Sequence, residues 1–489
     1  MIDKNSFLGA LIKTGGGSLL TLFFSIIAVK IVSINLGPSG VGILSLGKQL
    51  MLSLALIGYG CQTAVIQGIS KRQGTLKAEF AHSAFFIYFI GSILTIFISI
   101  FFTENILNII GKQGGPEILP LIKWIWIPVT ILIFSIYFKT LLNGYGFIGS
   151  LAIVEVLGPL FLCIFIYPIC QLIISNSIFG YILILLIPQF FSFIAGIFYS
   201  LKFKIFNLFS FVNVDFSKEY TFEIIQFSLV TMVISLISTV GLLVVKFQIT
   251  NTGGIYAAGL FESAWTISSS YVMLVLGALG TYFLPLVSGE PDLIHRKRKI
   301  LKVFRATTIL MTPLIICIIL IKYFIINILY TKEFTPAVNI INWMLIGDYL
   351  KITSWLFGIV ILATRKLKVY LYVEMLWNIL FIAISIFGIK IFNDINIVGV
   401  AYVISYFFSM VFYGYYICKK FDISLHKNQV MPWSFGLILV VACSIQNYFF
   451  SINIIYNLII WLPIALTYVF TMLRRREVYQ MKKFLRVFK

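Results

Sequence analysis

Apolar residues run along this chain in long blocks separated by short clusters of charge, glycine and proline. A lipid-spanning helix needs about 20 predominantly apolar residues. Fourteen stretches qualify: about 8–35, 40–69, 80–102, 119–140, 148–173, 177–201, 222–247, 255–286, 306–330, 336–363, 368–391, 397–418, 432–450 and 455–473. The first two are joined by Gly37-Pro38-Ser39-Gly40-Val41-Gly42, a turn sequence that stops one helix and starts the next. Within the first, Thr14, Ser18, Thr21 and Ser25 follow i, i+4, i+7, i+11 and share one face of a 3.6-residue period. Gly15, Gly16 and Gly17 beside them admit a second backbone at close range. In the second, Lys48 and Tyr59 stand close to three turns apart, with Ser45 and Gln62 near the same face. Such stripes either line a wet path or pack helices together. Lys48 favours the wet path, because a charge inside the bilayer costs about 3 kcal/mol or more unless it faces protein or water.

Composition fixes the class. Of 489 residues, 60% are hydrophobic and 11% charged, which excludes a soluble protein and predicts an all-α polytopic membrane protein. The formal net charge is +20, yet the basic residues fall in short loops, so they read as orientation determinants and lipid-headgroup contacts; no nucleic-acid partner is expected. With the N-terminus placed in the cytoplasm, 27 of the 37 Lys and Arg fall on that side. At most six fall opposite (Lys112, Lys123, Lys246, Lys322, Lys332, Lys390), and Lys13, Lys30, Lys48 and Lys351 are intramembrane. That asymmetry predicts both termini inside and an even number of spans. The first helix is too long for a cleavable signal, and no small-residue cleavage pattern follows it.

The chain repeats itself. Lys30, Asn35 and Gly37 recur as Lys246, Asn251 and Gly253, 216 residues later. The stripe Thr14, Ser18, Thr21 recurs as Thr231, Ser235, Ser238. The glycine pair Gly58/Gly60 recurs as Gly277/Gly280. Six spans separate the copies, so they share an orientation, which predicts two parallel six-helix lobes around a central cavity. The expected division is 1–205 for spans one to six, 206–418 for spans seven to twelve, and 419–489 for an appended pair and a basic cytoplasmic tail.

The intramembrane acids are Glu155, Glu262, Asp348 and Glu374, with Glu223 at the entry of span seven. Asp348 and Lys351 are i, i+3 and can neutralise each other. Glu262 has no local partner; Lys246 or Lys13 could reach it, or it could bind a proton. The six cysteines have no CxxC spacing and the three histidines are far apart, so neither disulfides nor a metal site is expected. No nucleophile–base pair, phosphate-binding glycine loop or ATP motor is present in the sequence. No cofactor and no enzymatic activity are expected, and transport would be facilitated or driven by an ion gradient or the membrane potential.

Several segments resemble Wzx-type O-antigen and enterobacterial common antigen flippases for lipid-linked oligosaccharides. Asn35-Leu-Gly-Pro-Ser-Gly-Val-Gly42 followed by Leu46-Gly-Lys-Gln-Leu50 is similar to their first hairpin. Phe283-Leu-Pro-Leu-Val-Ser288, Glu333-Phe-Thr-Pro336, Trp343 to Lys351, Ala363 to Tyr370 and Glu374 continue the similarity in order. It covers roughly 5–418; beyond 420 the chain departs from the shorter relatives. The resemblance implies the superfamily of multidrug, oligosaccharidyl-lipid and polysaccharide exporters. It implies an undecaprenyl-diphosphate-linked oligosaccharide as cargo, carried to the outer face of the bacterial inner membrane for O-antigen or related lipopolysaccharide assembly. Other glycan-assembly membrane proteins would be partners beside the membrane lipids. Lys13, Lys30, Lys48 and Lys246, on the repeated hairpins, would contact the anionic headgroup, and Glu262 or Asp348 would couple transport to H⁺ or Na⁺. The alternatives are a drug/cation antiporter of the same superfamily and a polytopic glycan polymerase or ligase. A large outer loop would mark the latter, and the longest here is about Thr103–Ile118.

Overall fold

The computed structural model describes the backbone of residues 4–101, 103–104, 118–175, 179–206, 217–288, 292–364, 366–421, 426–449 and 454–472. The described residues form fourteen α-helices and a 3-10 turn joined by short connections, with no strand among them. In chain order they are α1 (Lys4–Leu54), α2 (Leu56–Lys71), α3 (Gly74–Phe101), α4 (Ile118–Trp124), α5 (Trp126–Gly144), α6 (Ile148–Ile174), α7 (Phe179–Lys202), α8 (Lys218–Ser288), α9 (Leu293–Leu329), α10 (Ala337–Ala363), α11 (Leu367–Phe392), α12 (Ile397–Phe421), α13 (Lys427–Phe449) and α14 (Ile454–Met472). Among the described residues twelve helices are long and apolar enough to cross a membrane. Two of these, α1 and α8, each bend once and carry two arms. Counted by arms, the fourteen expected segments are present; the second and the fourth have one-residue breaks, at Ala55 and Ile125.

The two bends share a cause. Gly37 (φ 61°, ψ −167°) and Gly254 (φ 71°, ψ −177°) hold a backbone conformation that only glycine adopts without strain. Pro38 follows the first as the opening residue of the next helical arm, where its fixed φ is already helical and its missing N–H costs nothing. The bends are 217 residues apart, not the 216 that the lysine, asparagine and glycine matches suggest. The 217 register also relates the stripe Thr14, Ser18, Thr21 to Thr231, Ser235, Ser238, and Gly42 to Gly259.

The described chain forms two compact units, 1–262 with 328–333, and 263–327 with 334–489. In the first, the arms after the two bends cross at glycine. A methyl group on Gly42 would overlap the carbonyl oxygen of Ile255, and one on Gly259 would overlap that of Pro38. Gly42 and Gly259 are equivalent in the 217 register, as are Pro38 and Ile255, so the crossing is a symmetric exchange of contacts. Each unit also has one deeply buried helix. In the first this is α5, whose Val129, Ile133, Tyr137 and Leu141 are sealed in the core. In the second it is α10, buried along nearly its whole length. α5 packs against α7, and α10 against α12. Elsewhere large apolar side chains such as Phe101, Phe198, Phe387 and Phe470 point outward, as a lipid-facing surface requires. The prolines inside α6, α7, α9, α13 and α14 fit this setting, since membrane helices tolerate them where neighbours satisfy the freed backbone groups.

The last two helices are part of the second unit. Arg305 of α9 donates to the carbonyls of Asn428 and Met472, at the start of α13 and the end of α14. Tyr349 Oη donates to Trp433 O (2.9 Å) and Tyr468 Oη to Pro432 O (2.9 Å).

Candidate functional site

In each unit a cluster of polar side chains surrounds a buried carboxylate. In the first unit its place is set by the bends. Ser45 lies eight residues after Gly37, Glu262 eight after Gly254, and Lys246 eight before it. At 1.5 Å per residue each is about 12 Å along its arm from the bend, so the three reach the same level. There Lys246 Nζ donates to Glu262 Oε2 at 2.8 Å, and Ser45 Oγ donates to the same oxygen at 2.9 Å. Lys246 Nζ also approaches Ser45 O at 3.5 Å. The lysine side chain is 2% exposed and the glutamate side chain 12%. Lys48 stands one turn beyond Ser45, near enough to act on both charges. It is exposed and makes no hydrogen bond or ion pair among the described residues. Two ammonium groups therefore serve one carboxylate.

In the second unit the centre is Asp348 of α10, with no solvent exposure. It accepts from Ser268 Oγ (2.9 and 2.8 Å to its two oxygens), from Tyr271 Oη (2.6 Å) and from Tyr402 Oη (2.9 Å). Lys351 is not ion-paired with Asp348 among the described residues. Its Nζ donates to Tyr402 Oη at 3.1 Å, so the expected i, i+3 neutralisation runs through a tyrosine. Lys351 also faces the rings of Tyr402 and Tyr406, at 5.6 and 5.5 Å from their centroids. Glu374, near the start of α11, accepts from Trp377 Nε1 (2.7 Å) and Tyr413 Oη (3.2 Å), and its charge reaches Lys351. Two carboxylates here serve one lysine.

The remaining residues singled out from the sequence scatter. Lys30 Nζ donates to the carbonyl of Tyr330. A one-residue slip between the 216 and 217 registers is about 100° on a helix, so Lys30 and Lys246 are not equivalent and face different partners. Lys246 and Lys322, assigned above to the loops opposite the cytoplasm, are instead buried inside α8 and α9. Lys322 Nζ donates to Asn342 Oδ1 at 2.6 Å. The side chain of Lys13, with residues 4–16 as a group, lies outside the described set, as does most of the loop 103–118. Parts of the two polar stripes serve local packing: Ser25 bonds back to Thr21 O, and Thr231 Oγ1 donates to Gly60 O across to α2. Sequence reasoning passed over Ser268, Tyr271 and Tyr402 as a cage for Asp348. No local spacing announces it, because the three residues come from two other helices. Among the described residues no cluster of His, Cys, Asp and Glu could hold a metal ion.

No family model matches the chain. It is similar to the Lipid III flippases of Escherichia coli (strain K12) and Shigella flexneri, with 24% identity over 116 residues in each case. The matched stretch is 24% of this chain and 28% of theirs, so the chain aligns with little more than a quarter of the length of these curated relatives. Solved structures match far more widely. The inward closed conformation of Lipid II flippase MurJ matches with a TM-score of 0.68 and 15% identity, over 95% of this chain and 98% of that one. An inward-facing multidrug resistance MATE family transporter of the MOP superfamily gives 0.65 and 11%, over 89% and 98%. A MOP superfamily transporter from Pyrococcus furiosus gives 0.59 and 14%, over 89% and 96%. The chain is a multi-pass, all-helical membrane protein with the fold of MurJ and the MATE transporters of the MOP superfamily.

Proposed function

We propose that this protein is a flippase for lipid-linked oligosaccharides. It would carry undecaprenyl-diphosphate-linked repeat units across the bacterial inner membrane, with both termini in the cytoplasm, for O-antigen or related glycan assembly. The observation that carries the reading is Lys48: an exposed ammonium within a membrane-spanning arm, beside the buried Lys246–Glu262 pair. An intramembrane cation persists where it serves a wet, functional surface, and a diphosphate headgroup is the anion that a lipid carrier brings to that depth. The polyprenyl tail stays in lipid while the headgroup passes. Lys48 and Lys246 form the headgroup site, with Lys13 and Lys30 further along the same hairpin. Lobes 1–205 and 206–418 alternate access, with Asp348 or Glu262 coupling the cycle to H⁺ or Na⁺. The similarity to Lipid III flippases supports the cargo class, and the MurJ-like fold supports the architecture.

The MATE-like fold favours one second reading, export of cationic drugs. The excess of carboxylate around Asp348 would suit such cargo; the excess of lysine around Glu262 would not. Surface-glycan display in cells separates them. Cells in which Lys48→Ala or Lys48→Glu replaces the native chain at equal protein level are expected to lose display and accumulate the lipid-linked precursor. Normal display in both variants would remove Lys48 from the site. Drug efflux with unaffected display would replace the reading.

A further inference from the structure

Lys246 is sealed from solvent and yet already has an anion, so a cargo phosphate can reach it only by exchange. We propose that Glu262 is a built-in counter-anion that holds Lys246 until the diphosphate of an incoming polyprenyl carrier replaces it, taking up one proton from solvent as it is displaced. This rests on the flippase reading above and concerns the same site.

Three observations point to exchange. Both bonds to Glu262 fall on one oxygen, Oε2, at 2.8 Å from Lys246 and 2.9 Å from Ser45, while Oε1 accepts none among the described residues. One oxygen anchors the group and the other is left unanchored. Second, the lysine is less exposed than the glutamate, 2% against 12%, so the carboxylate stands on the more open side of the pair. A ligand coming from that side meets Glu262 and Lys48 before Lys246. Third, the charges among the described residues at the pair balance with Glu262 protonated. The charged groups acting on Glu262 are Lys246 and Lys48, and Ser45 is its neutral partner. Two lysines and one glutamate carry +1. A prenyl diphosphoryl sugar, being a diester, carries two negative charges, which would leave the loaded site at −1. With Glu262 protonated the sum is zero. Burying an uncompensated charge is far more costly than binding a proton from water, so loading proceeds with proton uptake. The proton leaves when the headgroup departs and Glu262 again takes Lys246. No bond is made or broken apart from this O–H bond.

The test is titration calorimetry of the purified full chain at pH 7 with a short-chain prenyl diphosphoryl sugar. It is run in buffers of different ionisation enthalpy, which counts protons taken up per ligand bound. The phosphate-free prenyl glycoside is the control. The intact protein is expected to take up close to one proton per ligand. Glu262→Gln, nearly the same in shape, is expected to take up none and to bind about tenfold tighter, since its competitor is gone. Ser45→Ala loosens the anchor without changing any charge. It should keep the proton uptake and tighten binding by a smaller factor, which guards against a misfolded Glu262 variant. Binding without proton uptake in the intact protein, or equal affinities in the intact protein and Glu262→Gln, overturns the exchange and leaves the flippase reading standing. Failure of the intact protein to prefer the diphosphoryl sugar over its control overturns both.

Discussion

Glu262 in the first unit meets an ammonium at 2.8 Å, whereas Asp348 in the second, buried more completely, meets hydroxyls. The two clusters are built from the same residue types in opposite proportion: two lysines to one carboxylate around Glu262, two carboxylates to one lysine around Asp348. Their chemistry differs accordingly. An ion pair of one acid and one base yields to a competing ion, so the first cluster suits an anion. A carboxylate held by three neutral donors can accept a proton, or trade a donor for a small cation, without breaking an ion pair. If the protein is the carrier proposed above, the first cluster is the candidate cargo site with its exchanged proton, and the second is a further candidate for H⁺ or Na⁺.

The largest effect is expected at Lys246. Lys246→Met leaves Glu262 buried without its ammonium, and the expected loss is about 3–5 kcal/mol of stability, read as a large drop in thermal unfolding temperature in detergent. Lys246→Met combined with Glu262→Leu should recover most of it, because the penalty belongs to the orphaned charge. A single variant as stable as the double would mean that the pair is not the organising contact. In the second unit Asp348→Asn keeps the shape and one acceptor but weakens three charge-assisted bonds, and about 1–3 kcal/mol is expected. Its sharper signature is functional: transport by the intact protein should rise with an imposed H⁺ or Na⁺ gradient, and Asp348→Asn should flatten that dependence. A gradient-dependent Asp348→Asn protein would move coupling elsewhere. Ser45→Ala, which removes one hydrogen bond at the edge of the first cluster, is expected to cost roughly 1 kcal/mol in the same unfolding assay.

The smallest effect lies outside the membrane, where a carboxylate has neither an ammonium nor a hydroxyl cage. Asp292 caps the start of α9: His295 bonds to it through its ring and its backbone N–H, and Ile294 N–H bonds to its other oxygen. Those bonds hold its carboxyl below the usual aspartate range. A lowered folded-state value means that the cap contributes fully above the unfolded value of about 3.9 and is lost as pH falls through the folded one. The protection factors of the Ile294 and His295 amides, at the first turn of α9, should therefore hold from pH 7 down to about 4 and fall only below it, whereas in Asp292→Ala they should be low throughout.

Much of this could be read from the sequence, because membrane helices announce themselves by length and apolarity. The spans, the bend at Gly37 and the isolation of Lys48 within an apolar arm are all local facts. Lys246 was one of two lysines that could reach Glu262, and the structure selects it. What local pattern misreads is register. The Lys-Asn-Gly match at 216 and the Thr-Ser stripe at 217 look equally good in the sequence; only backbone geometry, with positive φ at Gly37 and Gly254, decides for 217. The Asp348–Lys351 spacing is similar. On an isolated helix those side chains are neighbours, but packing brings the Tyr402 hydroxyl between them, and no spacing along α10 encodes a residue from α12. Tertiary contact also places Glu374 against Tyr413 and Lys30 against the Tyr330 carbonyl.

In the proposed flippase the exposed Lys48 serves an anionic headgroup. The most direct test is translocation in reconstituted vesicles. Undecaprenyl-diphosphate-oligosaccharide is loaded in one leaflet, and its exposure to an external sugar-modifying reagent is followed for the intact protein and for Lys48→Ala. Because Lys48 is exposed and has no bonded partner among the described residues, its truncation should alter stability by no more than about 0.5 kcal/mol. Transfer is expected to depend on the protein and to fall about tenfold or more in Lys48→Ala at unchanged unfolding temperature, the loss of one charge-assisted contact. Equal transfer by the two proteins would contradict this role of Lys48.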